Sequence, residues 1–217
     1  MIIGILDSGI GGKTVLKEIK KLLPDEEFVY FADYENCPYG TKSLDELKKI
    51  VSSGVEYLLS KGAKIIVLAC NTATTQTVNF LRERYPTVPF VGTEPAIKKA
   101  CSESSDAAKI LLLVTEGTAR AERTRELIDS NKKPEQKVEV VACPGLAKAI
   151  EDGDDAKIEV VLSEIEIAEK FETVVLGCTH YPIIRDKIQR KFPAAKLIDG
   201  SEGVAKEVLR VYQEINS

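Results

Sequence analysis

The feature that most constrains this chain is that its second half echoes its first. Ile5-Leu6-Asp7-Ser8-Gly9 corresponds to Leu113-Val114-Thr115-Glu116-Gly117, and Val67-Leu68-Ala69-Cys70-Asn71-Thr72 to Val175-Leu176-Gly177-Cys178-Thr179-His180. The offset from Asp7 to Thr115 equals that from Cys70 to Cys178. Cys37-Pro38-Tyr39-Gly40 is loosely repeated by Cys143-Pro144-Gly145 at nearly the same spacing. One such match is chance among strand-then-polar patterns. Three in order at one offset imply two similar lobes, and 217 residues that are 44% hydrophobic supply enough apolar material for two small cores.

Within each half, short β-branched runs alternate with longer amphipathic stretches. The runs are Ile2–Leu6, Glu27–Phe31, Lys64–Leu68, Val88–Val91, Lys109–Val114, Lys137–Val141, Glu172–Leu176 and Lys196–Ile198. Near-continuous apolar runs suit strands covered on both faces, as in parallel sheets. After Ser43, a helical stretch places Leu44, Leu47, Ile50, Val51, Leu58 and Leu59 on one face, with Ser43 and Glu46 set as a capping box. The expected fold is α/β: two pseudo-symmetric doubly wound lobes with mainly parallel sheets and a cleft between them. The expected division is 1–94 plus 201–217, carrying Cys70, and 95–200, carrying Cys178. The crossing falls near Gly92-Thr93-Glu94-Pro95, and the last helix, roughly 202–215, returns to the first lobe.

Composition removes several classes of function. A net charge of −4 with no Lys/Arg cluster gives no footprint for nucleic acid. The apolar runs are too short to span a bilayer, and the N-terminus reads as a buried strand, not a signal peptide. Five cysteines, an odd number in a chain too large to need staples, point to a reducing cytoplasm. The single histidine, His180, excludes chemistry that needs several.

Cys70 and Cys178 each follow an apolar strand at its carboxyl end, where open α/β sheets bind ligands. A single cysteine there is more often a small buried hydrophobe. The matched pair reverses that preference: with the lobes related by a pseudo-twofold axis, the two thiols face each other across a cleft. A substrate Cα between them would have one thiol on each face. One thiolate could remove an α-proton while the opposite thiol delivers another, the arrangement a two-base racemisation needs. A free thiol titrates near 8.5, so a modest shift suits either role. Asp7, ending the first strand, is a plausible neighbour of Cys70, and His180 lies two residues beyond Cys178. A disulfide is the weaker reading in a cytosolic chain. Zinc held by Cys70, Cys178 and His180 is disfavoured by the spacing. Cys37, Cys101 and Cys143 read as structural.

Asp7-Ser8-Gly9-Ile10-Gly11-Gly12 joins the first strand to a helix, and its glycines let backbone amides approach an anion. Gly12-Lys13-Thr14 resembles the end of a phosphate-binding loop, but that pattern needs glycine where Asp7 stands, and a carboxylate there repels phosphate. Thr115 and Thr118 flank Gly117 at a helix start, and Tyr39-Gly40-Thr41 is a loop of donors. Both could bind carboxylates, although for either alone ordinary capping suffices. Glu151, near a helix end, reads from the residues alone as a solvated surface carboxylate.

The motifs Asp7-Ser8-Gly9-Ile10-Gly11-Gly12, Pro38-Tyr39-Gly40-Thr41, Ala69-Cys70-Asn71-Thr72-Ala73 and Gly177-Cys178-Thr179-His180-Tyr181-Pro182 resemble, in order along nearly the whole chain, those of the glutamate racemases within the aspartate/glutamate racemase superfamily. The resemblance implies interconversion of L- and D-glutamate with no cofactor and no metal, in the cytoplasm, supplying D-glutamate for peptidoglycan. It implies Cys70 and Cys178 as proton donor and acceptor, Asp7 assisting Cys70, and His180 and Glu151 assisting Cys178. Asp7, Ser8, Tyr39, Gly40, Asn71, Thr72, Thr179 and His180 would contact the substrate, with Thr115 and Thr118 beside them. The expected partner is the small-molecule substrate glutamate, with no nucleic acid and no membrane, and a homodimer remains open.

Three features depart from that pattern. The chain ends soon after the helix through Val211, the turn at Val91–Pro95 is one residue tighter, and Glu116 stands where a smaller residue or proline is expected. With no N-terminal extension, activation by a cell-wall precursor through such a segment is not expected. Two other readings stay open: a racemase of another acidic amino acid such as aspartate, and a non-catalytic two-lobed carboxylate-binding protein. The latter gives no reason for paired cysteines at strand ends. A nucleotide-binding switch conflicts with Asp7, and a related single-cysteine decarboxylase conflicts with the pair.

Overall fold

The computed structural model describes residues 1–166 and 170–217. Two four-stranded parallel sheets are built in the same order. The first runs β2 (Glu27–Ala32), β1 (Ile2–Asp7), β3 (Ile65–Leu68), β4 (Phe90–Gly92). The second runs β6 (Lys137–Ala142), β5 (Lys109–Val114), β7 (Thr173–Leu176), β8 (Lys196–Ile198). Replacing each strand of the first sheet by its counterpart in the second reproduces the order, the echo read at the level of topology. The α/β expectation holds, and each of the eight apolar runs overlaps a strand.

The strands are apolar throughout because helices cover both faces. In β1 and β3, Ile3, Ile5, Ile65 and Val67 pack with Val15 and Ile19 of α1 (Lys13–Leu22) and Val204 and Val208 of α10 (Ser201–Asn216). Leu6, Ile66 and Leu68 point the other way, onto Leu47, Val51, Val55 and Leu58 of α2 (Leu44–Ser60) and Leu81 of α3 (Asn71–Arg84). In β5 and β7, Leu111, Leu113, Val174 and Leu176 join the core of α7 (Leu146–Asp152), α8 (Asp155–Glu164) and α9 (Arg185–Lys191). Ile110, Leu112, Val114 and Val175 pack against Ile97 and Cys101 of α4 (Ile97–Glu103) and Ile128 of α6 (Glu122–Asn131). Each buried Leu, Ile or Val contributes about 1.5–3 kcal/mol relative to exposure, so the period-two alternation fixes the register of every strand.

The start of α2 shows the predicted capping box: Ser43 Oγ accepts from Glu46 N, and the Glu46 carboxylate accepts from Ser43 N at 2.9 Å. Leu44 departs from expectation and is exposed, at the mouth of an open cavity beside Thr75, Gln76 and Asn79 of α3, while Leu47, Val51 and Leu58 bury. All five cysteines are free thiols. Among the described residues no helix is long and apolar enough to cross a membrane.

Candidate active site

The site forms where the carboxyl ends of the two sheets meet. Cys70 leaves β3 and occupies the position before the first turn of α3, with its thiol buried. Cys178 leaves β7 and precedes a turn at Tyr181–Ile184 that leads into α9, and it too is buried. Both line one cavity, shared with Ser8, Tyr39, Gly40, Asn71, Thr72, Thr115, Thr179 and His180 of the expected set, and with Pro38 and Ala147, which were not expected. Its volume is about 10 Å³, the room one water needs. A cavity of about 240 Å³ adjoins it, sharing Pro38, Gly40, Thr115 and Ala147 and reaching Glu116 and Lys148. As it stands, the inner cavity has no room for a ligand larger than water. A cavity of about 650 Å³ lies elsewhere and is lined by charged groups paired with one another, such as Lys196 with Glu103 and Lys99 with Glu202.

Asp7, Thr118 and Glu151 stand just behind the cavity wall. Asp7 is fully buried, and its Oδ2 accepts from Gly9 N at 3.0 Å and Gly12 N at 2.9 Å. The anion at the amides of this glycine-rich turn is therefore the chain's own carboxylate. Thr179 Oγ1 reaches Asp7 Oδ1 at 3.4 Å from the other lobe, and Tyr30 OH donates to Gly9 O at 2.7 Å. Burial raises the Asp7 carboxyl above its ordinary range, against the lowering by His180 and the loop amides.

Cys70 is pushed up to about 12, first by burial and then by the Asp7 charge, while Ala73 N–H at the helix start works the other way. It therefore rests as a thiol at neutral pH. On the opposite wall His180 is nearly inaccessible. Its Nε2 lies 2.7 Å from Glu151 Oε2, and its Nδ1 lies 3.8 Å from the Cys178 sulfur. Burial alone would lower the imidazolium, but contacts with Cys178, Cys37 and Glu151 outweigh it and hold His180 well above its usual value. Glu151 is lowered: burial opposes this, and the bonds from His180 and Ile10 N overcome it. Together they form a charge-assisted imidazole–carboxylate pair whose other ring nitrogen, Nδ1, faces Cys178.

Hydroxyls close the remaining wall. Thr72 Oγ1 meets Thr115 Oγ1 at 2.8 Å and Thr118 Oγ1 at 3.3 Å across the lobes. Thr115 also caps α5 (Glu116–Arg120), so capping and cleft contact coexist at one residue. The Tyr39 hydroxyl is committed to Asp33 Oδ2 at 2.8 Å, so Tyr39 offers a ligand its ring edge and backbone. The buried Asn71 Oδ1 has no hydrogen-bond partner and faces the cavity. Sequence reasoning missed Cys37, which touches His180, and Tyr30, which ties down the Asp7 loop. Neither carries a local signal, since their partners lie far away in the chain.

The raised carboxyl of Asp7 predicts a measurable effect on stability. A carboxyl with a raised native pKa contributes stability that is complete below its unfolded value, about 3.9, and is lost as pH rises through the native value. Asp7→Asn should therefore melt higher than wild type at pH 7, by about 3 °C for each kcal/mol recovered. The difference should vanish below pH 4. Equal melting curves at both pH values would show that the loop amides fully offset the burial cost.

An α/β scaffold with duplicated sheets, presenting a thiol from each at one enclosed cleft, defines a class of two-lobed proteins whose site needs both halves. Residues 3–208 match the Asp/Glu/Hydantoin racemase family, and the chain belongs to it. A glutamate racemase of Clostridium botulinum (strain Kyoto / Type A2) is 40% identical over 99% of this chain and 84% of its own. Escherichia coli glutamate racemase, solved with L-glutamate and the activator UDP-MurNAc-ala, superposes with a TM-score of 0.86 at 31% identity, covering 96% of this chain and 80% of that one. The Thermus thermophilus glutamate racemase in complex with beta-chloro-D-alanine gives 0.82 at 36% identity, over 99% and 81%.

Proposed function

We propose that this protein interconverts L- and D-glutamate by a two-thiol mechanism without cofactor, supplying D-glutamate for peptidoglycan. The observation that carries the reading is that Cys70 and Cys178, from corresponding strand ends of the two lobes, line one enclosed cavity. The family match and the relatives at about 40% identity over nearly the whole chain support glutamate as the substrate. On this reading the lobes are 1–94 plus 201–217 and 95–200.

The α-carbon of glutamate sits between the sulfurs with the lobes closed around it. In one direction the Cys178 thiolate takes the α-proton, and the resting Cys70 thiol delivers another to the opposite face. In the reverse direction the roles exchange. His180, held by Glu151, passes or holds a proton at Cys178 through Nδ1. Asp7 keeps the Ser8–Gly12 turn in place and sets the charge beside Cys70. Asn71 Oδ1, an unpartnered buried acceptor, takes a donor from the substrate ammonium. Thr72, Thr115 and Thr179, with Ser8 and the Gly40 backbone, offer hydroxyls and amides to the carboxylates, and Thr118 supports Thr72 and Thr115 from behind. Closure excludes water, which strengthens every one of these interactions.

The test is racemisation in D2O. Because the proton delivered comes from the opposite thiol, which has exchanged with solvent, the first product formed should carry one α-deuterium while unreacted substrate carries none. Early deuterium in the remaining substrate would overturn the two-thiol mechanism. Aspartate turned over as fast as glutamate would overturn the substrate.

A further inference from the structure

Cys37 takes no part in the proton transfers, yet its sulfur stands beside two groups that do. Cys37 Sγ, a carboxylate oxygen of Glu151 and an imidazole nitrogen of His180 all lie within 4.8 Å of one another. They come from three separate segments: the loop between β2 and α2, the helix α7, and the turn after β7. We propose that this trio is a binding site for a divalent transition-metal ion of the zinc type, and that filling it holds the enzyme closed and inactive.

The donor set selects the metal class. Thiolate, imidazole and carboxylate together suit zinc and its neighbours in the series, whereas magnesium and calcium require oxygen ligands. Three protein donors and a water complete a tetrahedral site. Both hydrogen bonds received by Glu151, from Ile10 N and from His180 Nε2, fall on Oε2, which leaves Oε1 to ligate. A thiolate and a carboxylate balance the two positive charges of the ion. Lys148, whose charge reaches Cys37 and Glu151, is engaged by Asp152. His180 is buried, but Cys37 and Glu151 are partly exposed, which gives an ion a route from solvent.

Inhibition follows from where the ligands sit. Cys37 belongs to the half of the chain that forms the first sheet, and Glu151 and His180 to the half that forms the second, so a bound ion cross-links the two. The inner cavity has room for about one water when closed, and a cross-link that stops opening stops substrate entry. The ion also takes the imidazole away from Cys178. No local sequence pattern announces the site, because its ligands meet only in the folded chain.

The experiment titrates the metal-free, fully reduced protein with Co2+ and follows thiolate-to-cobalt charge transfer, a readout independent of turnover. The expected result is a saturable band at one ion per chain, displaced by Zn2+, lost in Cys37→Ser and retained in Cys178→Ser. Zn2+ should inhibit wild type at least tenfold more strongly than Cys37→Ser, each measured against its own metal-free rate. A band that survives Cys37→Ser, or that disappears only with Cys178→Ser, places the metal on the cleft thiols and overturns the proposal, as does the absence of saturation. If Cys37→Ser fails to fold, Glu151→Gln replaces it and should weaken Co2+ binding at least tenfold; unchanged affinity overturns the site.

Discussion

Alanine at either Cys70 or Cys178 is expected to cut racemisation of both enantiomers about 10³-fold or more, within the range a positioned acid or base contributes and near its top because each thiol is required in both directions. The fold should survive. Each sulfur is a small buried group at the end of a strand whose packing is carried by its neighbours, Ile65–Leu68 in one sheet and Thr173–Leu176 in the other. A melting temperature within a few degrees of wild type, with activity gone, separates a chemical role from a structural one. Wild-type activity in both variants would sink the two-thiol mechanism outright.

The second large effect is expected at Gly11. A Cβ built there meets His180 Nδ1 at 2.6 Å, Thr179 Oγ1 at 2.7 Å and His180 N at 2.8 Å. The last of these is backbone and cannot swing aside, so Gly11→Ala pushes the loop after β1 away from the turn after β7. A displacement approaching 1 Å at a reacting centre costs about 10²-fold, and kcat/KM should fall by that order. Stability should change little, since the clash lies between the two halves and not within either core. Gly9→Ala should also lower activity, because its Cβ runs into Glu151 Oε2, the oxygen that accepts from Ile10 N and His180 Nε2. Gly203→Ala in α10, with nothing nearby, is the control and should stabilise by up to about 1 kcal/mol. Full activity in Gly11→Ala would show that the closed arrangement is not the reacting one.

The readability of this chain followed the range of the interactions involved. Strands were legible because burial on both faces leaves a continuous apolar run, and the ends of β5 and β8 match the residues expected. The Ser43 cap was legible because its partner is three residues away. The two cysteines stood out only as a pair, through the repeated half. Leu44 misled because periodicity places a residue on a face but does not say whether a neighbour covers it there, and at Leu44 an open cavity stands instead. Glu151 read as a surface group because a carboxylate at a helix end usually is one, and its partners, Ile10 and His180, come from distant segments. Cys37 was hidden further by its loose match to Cys143. That match is real in sequence, but Cys143 faces Tyr181 and the second core, while Cys37 stands beside Glu151 and His180.

The two thiols occupy unequal surroundings: Cys70 beside a buried carboxylate at a helix start, Cys178 beside an imidazolium. The enantiomers they would interconvert are mirror images of equal free energy, so the equilibrium constant is one. The Haldane relation then requires kcat/KM to be identical in the two directions, however different the thiols are. The asymmetry of the site can appear only as a trade between kcat and KM. One enantiomer would bind more tightly and turn over more slowly, and the other would bind more loosely and turn over faster by the same factor. No substitution at Asp7, Glu151 or His180 can make the enzyme favour one hand; it can only move that trade.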